Sequence, residues 1–275
     1  MDSPIDTRHL FKPLNDKLIE LLSSFSPEDW QRQTVARLWT VKDVAAHLLD
    51  GNIRVLSIQR DRYFGEAPPA ASSYEALVDW LNGLNADWVK AARRISPGVL
   101  LFLHQATSDA VTVYYESIDL FEEAIFPVSW AGETQSLNWM HLAREYTEKW
   151  HHQQQMREAT GREGIMTREF FFPMIDTFFR GLPHALRNAG ARTGAVILIT
   201  LTSAIGGNWY VQKGESGWHL CGQPEKDDYA AVVRLSPESA WKLFSKSITP
   251  EAAGAGIGGD KELARQVLNM VSVMA

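Results

Sequence analysis

Cysteine is almost missing from this chain: Cys221 is the one thiol among 275 residues. An internal disulfide and a cysteine-based zinc site are both excluded on that ground. No run of about 18 apolar residues occurs, so no helical membrane span is expected. The opening MDSPIDTRHLFK lacks the apolar stretch of a secretory signal, and a cytoplasmic location is expected. An excess of positive charge is missing too. Lys and Arg number 27 against 33 Asp and Glu, a formal net charge of −6. Such a chain repels a phosphate backbone, which argues against nucleic acid as a partner. Internal repeats and low-complexity tracts are absent.

What is present is an ordinary globular composition, 45% hydrophobic and 22% charged. That is enough apolar mass for a sizeable core, and it excludes disorder as the main state. The length is about twice the commonest domain size, so two domains are expected. Segments 12–25, 40–65, 73–96, 98–123 and 136–159 repeat apolar residues every three or four positions, the signature of helix. Ser26-Pro27, Ala67-Pro68-Pro69, Ser96-Pro97-Gly98 and Phe126-Pro127 punctuate them. Thr40 with Asp43 resembles a capping box at the start of the second helix, and Gly161 closes the last one. A bundle of four long helices with short extras accommodates this pattern.

The character changes after Gly161. More helix is expected within 167–189, kinked or split at Pro173 and at Gly181-Leu182-Pro183. Period-two runs follow at 195–202, 208–213, 217–222 and 229–235, then helices at 237–246 and 260–273. The expected fold class is α plus α+β: a four-helix bundle over 1–162, then a smaller α+β domain with an antiparallel sheet over 163–275.

The late helix carries the most chemistry. At about 100° per residue, His141, Glu145, Glu148, His152, Gln155 and Ala159 share one stripe. Trp139, Leu142, Ala143, Tyr146 and Trp150 lie opposite. A polar stripe ordinarily faces solvent, but this one alternates imidazole and carboxylate without a lysine, which suits a borderline divalent metal. Glu148 and His152, one turn apart, bring their Cβ atoms within ~6 Å. A third ligand has to come from elsewhere, and His47 is the candidate. It sits beside an apolar stripe of Val41, Val44, Leu48 and Val55, where a histidine is more often a core residue than a ligand. Asp50 either orients His47 by hydrogen bonding a ring nitrogen or faces water.

Two motifs carry a resemblance. Trp39-Thr-Val-Lys-Asp-Val-Ala-Ala-His47-Leu and Glu148-Lys-Trp-His-His152-Gln-Gln-Gln-Met-Arg157 together resemble the metal-binding helical domain of the mycothiol-dependent maleylpyruvate isomerase family. That family belongs to the DinB/YfiT-like superfamily. The resemblance spans roughly residues 10–160 and implies His47, Glu148 and His152 as metal ligands. The run from Ala195 to Met274 is similar to a sterol-carrier-protein-2-like domain, and a related domain follows the bundle in maleylpyruvate isomerases. The family's activity also involves a basic residue of the second domain. Arg180, Arg187 and Arg234 are all open for that role here.

Other leads are weaker. Gly254-Ala-Gly256-Ile-Gly258-Gly259 satisfies G-x-G-x-x-G literally but leaves no room for a βαβ unit, and a flexible loop is expected. Cys221 reads as structural. The Phe170–Phe172 cluster reads as an apolar face between domains or a pocket lining. His141 and Glu145 are expected to contact substrate, to support the ligands, or to replace them if the register differs. His151 points about 100° away from the stripe.

Three protein ligands leave coordination positions open, as catalytic sites do. The resemblance implies activation of a low-molecular-weight thiol, such as mycothiol or bacillithiol, by a divalent metal. Zinc is the first choice, with nickel, iron or manganese as alternatives. The expected function is a metal- and thiol-dependent isomerase or transferase acting on a small electrophile. A non-catalytic carrier of metal and apolar ligands is the alternative, and a non-haem iron oxygenase with the same ligand set is the third reading.

Overall fold

The computed structural model describes residues 3–66 and 74–273. The expected break at Ala67-Pro68-Pro69 lies outside them, as does Met274. The chain divides into two compact units. One is built chiefly from Thr7–Asp119 and Glu148–Ile165, the other chiefly from Leu120–Thr147 and Met166–Val273.

The first unit is helical: α1 (Arg8–Ser23), α2 (Val41–Arg54), α3 (Tyr74–Ala92), α4 (Pro97–Glu116), and α5 (Asn138–Thr160) from Glu148 onward. The expected capping box forms. The Asp43 N–H donates to the Thr40 hydroxyl at 3.3 Å, and the Thr40 N–H donates to the Asp43 carboxylate at 3.1 Å. Ser96 caps α4, with Pro97 in the first turn where its missing N–H costs nothing. After Arg54 the expected helix over 40–65 widens into a π turn, Val55–Arg60, in which Val55 and Gln59 are both buried.

The apolar stripes converge on one core. Leu18, Leu21 and Leu22 of α1 meet Val41, Val44, Ala45, Leu48 and Leu49 of α2, Ala92 of α3, Leu100 of α4 and Met156 of α5. Spacing by three and four places each set on one helix face. Removing one such leucine side chain costs roughly 2–5 kcal/mol. No helix among the described residues is long and apolar enough to cross a membrane.

The second unit carries α6 (Arg168–Phe179), α7 (Leu182–Ala185), β1 (Val196–Leu201), β2 (Gly207–Lys213), β3 (Trp218–Cys221), β4 (Ala231–Leu235), α8 (Pro237–Phe244), β5 (Gly256–Gly259) and α9 (Lys261–Leu268). Pro173 lies within α6, and the split falls at Arg180–Gly181. The Phe170–Phe172 run is absorbed into the core of its own unit: Phe171 is buried and Phe172 stacks on Trp209 at 5.4 Å. Phe179 packs against Trp209 and Phe244 at 4.7 and 5.3 Å.

The five strands form a mixed sheet in the order β3-β2-β1-β4-β5. Two expectations need correction here. The sheet is antiparallel at three of its pairings, but β1 and β4 run parallel, with Ile197 beside Ala231 and Leu201 beside Leu235. Alternation reveals a strand and its faces, not the direction of its neighbour, and here the chain crosses from β3 to the far side of β1. The Gly254–Gly259 run is not a free loop, since β5 closes the β4 edge. Glycine weakens a strand on its own, so only the open edge of β4 reveals it. Gly259 has φ +70°, and a Cβ there would stand 2.4 Å from the Ala230 carbonyl oxygen. At Gly258 the added Cβ would meet the Val232 Cβ at an ordinary 3.6 Å.

Gly259→Ala is therefore expected to destabilise by about 1–3 kcal/mol. Gly258→Ala is expected to stay within about 0.5 kcal/mol of the parent. Urea unfolding of the two variants checks this, and equal losses would contradict the edge-strand geometry.

Candidate metal centre

The capping box fixes where α2 starts, and with it the face on which His47 emerges two turns later. α5 carries Glu148 and His152 one turn apart. Within the helical unit these three side chains converge, each offering a ligand atom, with all three atoms inside 4.8 Å of one another. The His47 and His152 rings meet edge to face at 4.7 Å between centroids. Trp39 packs on both, at 4.8 Å from His47 and 6.2 Å from His152. The His151 ring, expected to point away, lies 3.9 Å from that of His152. It stands outside the ligand cluster.

Hydrogen bonding decides what the cluster can hold. His152 Nδ1 lies 2.9 Å from Gln155 Oε1, so Nδ1 carries the proton and donates it. The other nitrogen, Nε2, faces Glu148 Oε2 at 3.5 Å. Two lone pairs opposed at that distance repel unless a proton or a metal ion lies between them. His47 Nδ1 is buried and has no hydrogen-bond partner, a costly state for an imidazole nitrogen. Zinc–nitrogen bonds are about 2 Å long, which calls for donors no more than about 4 Å apart, so small side-chain adjustments would close the set on an ion. Two imidazoles and a carboxylate are the donors such an ion prefers. The residues fit the group.

Electrostatics agree. Burial pushes the His47 imidazole well below its usual pKa, and nearby His152 adds to this while Glu148 opposes it. His47 is held neutral, the form that ligates a metal. Burial pushes the Glu148 carboxyl up, but the hydrogen bond with His152 and the imidazoles gathered round it outweigh this, holding the carboxyl below its usual range.

Asp50 does neither of the two things expected of it. It is buried and accepts from Arg54 at 3.2 Å, and Arg54 also donates to Asn85 at 3.1 Å. Burial raises the Asp50 carboxyl, against the opposing guanidinium. The orienting role on this stripe belongs instead to Gln155, three residues beyond His152, where a helix returns to the same face. The stripe is largely shielded from solvent at its imidazoles and amide, with His141 1% exposed, His152 8% and Gln155 4%, whereas Glu145 and Glu148 stay partly exposed. His141 and Glu145 are joined through one guanidinium, since Arg144 Nη2 lies 2.8 Å from both His141 Nδ1 and Glu145 Oε1. A cation in that position makes a second metal site on the upper stripe unfavourable. Cys221 sits half-buried with its thiol pushed up by burial and its Sγ 3.7 Å from the Tyr210 carbonyl oxygen, as befits a structural cysteine.

The sequence reading missed the interior polar chain behind Glu148. Lys149 is buried and donates to Asn52 Oδ1 at 2.5 Å, and the Asn52 amide donates to the Thr107 hydroxyl at 2.9 Å. This ties α5, α2 and α4 together beside the candidate ligands. His104 of α4 is wholly buried, with its Nε2 2.8 Å from the Ala45 carbonyl oxygen. Lys149 falls off the polar stripe by one helix position, and only packing shows that it turns inward.

These features define a class: a helical unit with a His–Glu–His cluster, and an α+β unit with a five-strand mixed sheet. Comparison gives the family. Residues 11–157 match the family of the mycothiol maleylpyruvate isomerase N-terminal domain, and the chain belongs to that family. Among solved structures, the mycothiol-dependent maleylpyruvate isomerase is 16% identical, with 94% of each chain covered and a TM-score of 0.56. A histidine-to-alanine mutant of that enzyme is 15% identical with the same coverage and score. At that identity the likeness shows the fold. No curated protein matches.

Two outcomes follow from the buried groups. Lys149→Met is expected to cost about 2–4 kcal/mol of stability, because Asn52 loses a charged donor in the interior; a denaturant series measures it. Burial holds His104 down to about 4, and burial with Arg144 beside it does the same for His141. The unfolded chain takes up protons below about pH 6.5 that these two refuse until about pH 4. Unfolding free energy is therefore full above pH 6.5 and falls as the pH drops through that window, by about 3 kcal/mol per histidine. A flat profile between pH 7 and 4.5 would contradict their burial in the neutral form.

Proposed function

We propose that this protein is a divalent-metal- and thiol-dependent isomerase or transferase acting on a small electrophilic substrate, with His47, Glu148 and His152 as the metal ligands. The observation that carries the reading is the opposition of His152 Nε2 and Glu148 Oε2 at 3.5 Å beside the partnerless His47 Nδ1. Family membership over residues 11–157 supports it, and the relatives' printed names supply the thiol and the reaction class.

When bound, a divalent ion would supply acidity, lowering the pKa of a coordinated thiol toward neutrality or polarising a carbonyl oxygen. The chain's own residues do the rest. Gln155 holds the proton of His152 on Nδ1 and leaves the Nε2 lone pair free to ligate. Burial keeps His47 neutral. Trp39 covers both rings and limits water at the cluster. Three protein ligands leave room for a thiol and a substrate oxygen, where a four-ligand structural site would be closed. Zinc is the proposed metal, and mycothiol or bacillithiol the proposed thiol.

Purified, untagged protein is expected to carry close to one equivalent of a transition metal by inductively coupled plasma mass spectrometry. His47→Ala and His152→Ala should each lose most of it, whereas His141→Ala should keep it. Full metal content in both ligand variants would sink the assignment. With metal in place, consumption or recycling of mycothiol or bacillithiol in the presence of an unsaturated electrophile is the activity to seek; apolar-ligand binding without thiol chemistry would replace the enzyme with a carrier.

A further inference from the structure

A ligating histidine is usually oriented by a carboxylate or carbonyl on its second ring nitrogen. The side chain placed for that duty, Asp50, accepts from Arg54 instead, and His47 Nδ1 has no partner. Trp39 packs on the ring at 4.8 Å, but such packing supplies no directional bond. The aim of His47 therefore depends on α2 itself, whose rotation about its own axis decides where the ring points. A ring nitrogen about 6 Å from the axis moves about 1 Å for each 10° of that rotation. Displacement on that scale spoils coordination.

α2 is tied at the two peptide groups just before His47. The indole N–H of Trp88, on α3, donates to the Ala46 carbonyl oxygen at 2.7 Å. His104 Nε2, on α4, lies 2.8 Å from the Ala45 carbonyl oxygen. A carbonyl only accepts, so Nε2 is the donor. Both carbonyls lie inside the helix, where the N–H four residues on is the ordinary partner; the second lone pair of each oxygen takes the extra bond. Successive residues stand about 100° apart round a helix, and the two donors come from different neighbours. Turning α2 about its axis distorts both bonds at once. Asn52 is tied too, to Lys149 and Thr107, but through a side chain whose torsions take up a small turn of the helix. The bonds at Ala45 and Ala46 act on the backbone directly. His104 is wholly buried and its Nδ1 has no partner, so its ring brings one bond and one orphaned acceptor into the core.

Building on the proposed function, we infer that Trp88 and His104 are positioning residues of the metal centre. They set the rotation of α2 through its backbone, and that rotation brings the His47 ring to Glu148 and His152. Neither belongs to the ligand cluster. The two imidazoles are thus aimed by different means: His152 by the Gln155 side chain, His47 by two donors to the helix that carries it.

Zinc titration of the full chain and the visible absorption of its cobalt-loaded form test this, since cobalt absorption follows ligand geometry. Trp88→Phe keeps an aromatic ring on α3 and removes the N–H donor. His104→Phe removes the ring donor together with the orphaned nitrogen. Each is expected to weaken zinc binding about tenfold and to shift the cobalt bands, with one equivalent still bound at saturating metal. The control is Asn15→Ala, which removes a buried bond of the same kind between two other helices, from Asn15 Nδ2 of α1 to the Thr112 hydroxyl of α4 at 3.2 Å. It should lower the urea midpoint, as a lost interior bond does, while zinc affinity and cobalt bands match the parent. Zinc affinity within about twofold of the parent in Trp88→Phe, or an equal loss of affinity in Asn15→Ala, would overturn the positioning role and leave the metal site standing. A parent chain that takes up neither zinc nor cobalt would overturn the metal reading and this inference with it.

Discussion

The confrontation of an imidazole nitrogen with a carboxylate oxygen on one face of α5 is the constraint around which the helical unit is arranged. His152 and Glu148 are one turn apart, so the helix itself forces them together. A solvated pair of this kind would be commonplace, worth little and easily rearranged. Here His152 is buried, Gln155 fixes its proton, and His47 crosses from α2 with an unsatisfied nitrogen. Burying such groups without a cation between them is unfavourable.

The rest of the unit holds this cluster from behind. Lys149, adjacent in sequence to Glu148, points inward to Asn52, and Asn52 continues to Thr107, so α5 is fastened to α2 and α4 beside the ligands. Gln153 donates to the Leu14 carbonyl oxygen of α1 at 3.0 Å, and Arg157 donates to the Lys17 carbonyl oxygen at 2.9 Å. The same helix that presents two candidate ligands thus carries polar anchors to α1 and α2, and through Asn52 to α4. Polar groups cost more than apolar ones when a partner is lost, so these anchors hold α5 in one register. A ligand set needs that kind of support, since a displacement of about 1 Å spoils coordination.

Much of this is legible in the chain. The helices over 8–160 announce themselves by three- and four-residue spacing, and the Thr40–Asp43 capping box forms where the sequence puts it. His47, Glu148 and His152 stand out through the pairing of two short motifs, and they are the three residues the structure gathers. Other parts are illegible for physical reasons. The orienting of His47 expected of Asp50 is not made, because its carboxylate accepts from Arg54 instead and His47 Nδ1 has no partner; Gln155 bonds His152. The inward turn of Lys149 defies the rule that lysine faces water. β5 is hidden because Gly256–Gly259 has no strand propensity of its own and is held by the edge it pairs with.

Local chemistry settled what repeats along the chain: helix faces by apolar period, helix starts by their caps, strand faces by alternation, and the donor types suited to a metal. These follow from interactions over a few residues, which a sequence displays directly. Distance in the chain hid the rest. The crossover that sets β4 parallel to β1, the choice of Arg54 over His47 by Asp50, the polar chain from Lys149 to Thr107, and the placing of Trp39 over two imidazoles all depend on which segments meet. Long-range meeting is decided by how apolar faces pack against one another, and a pattern read within one segment carries no information about its partner.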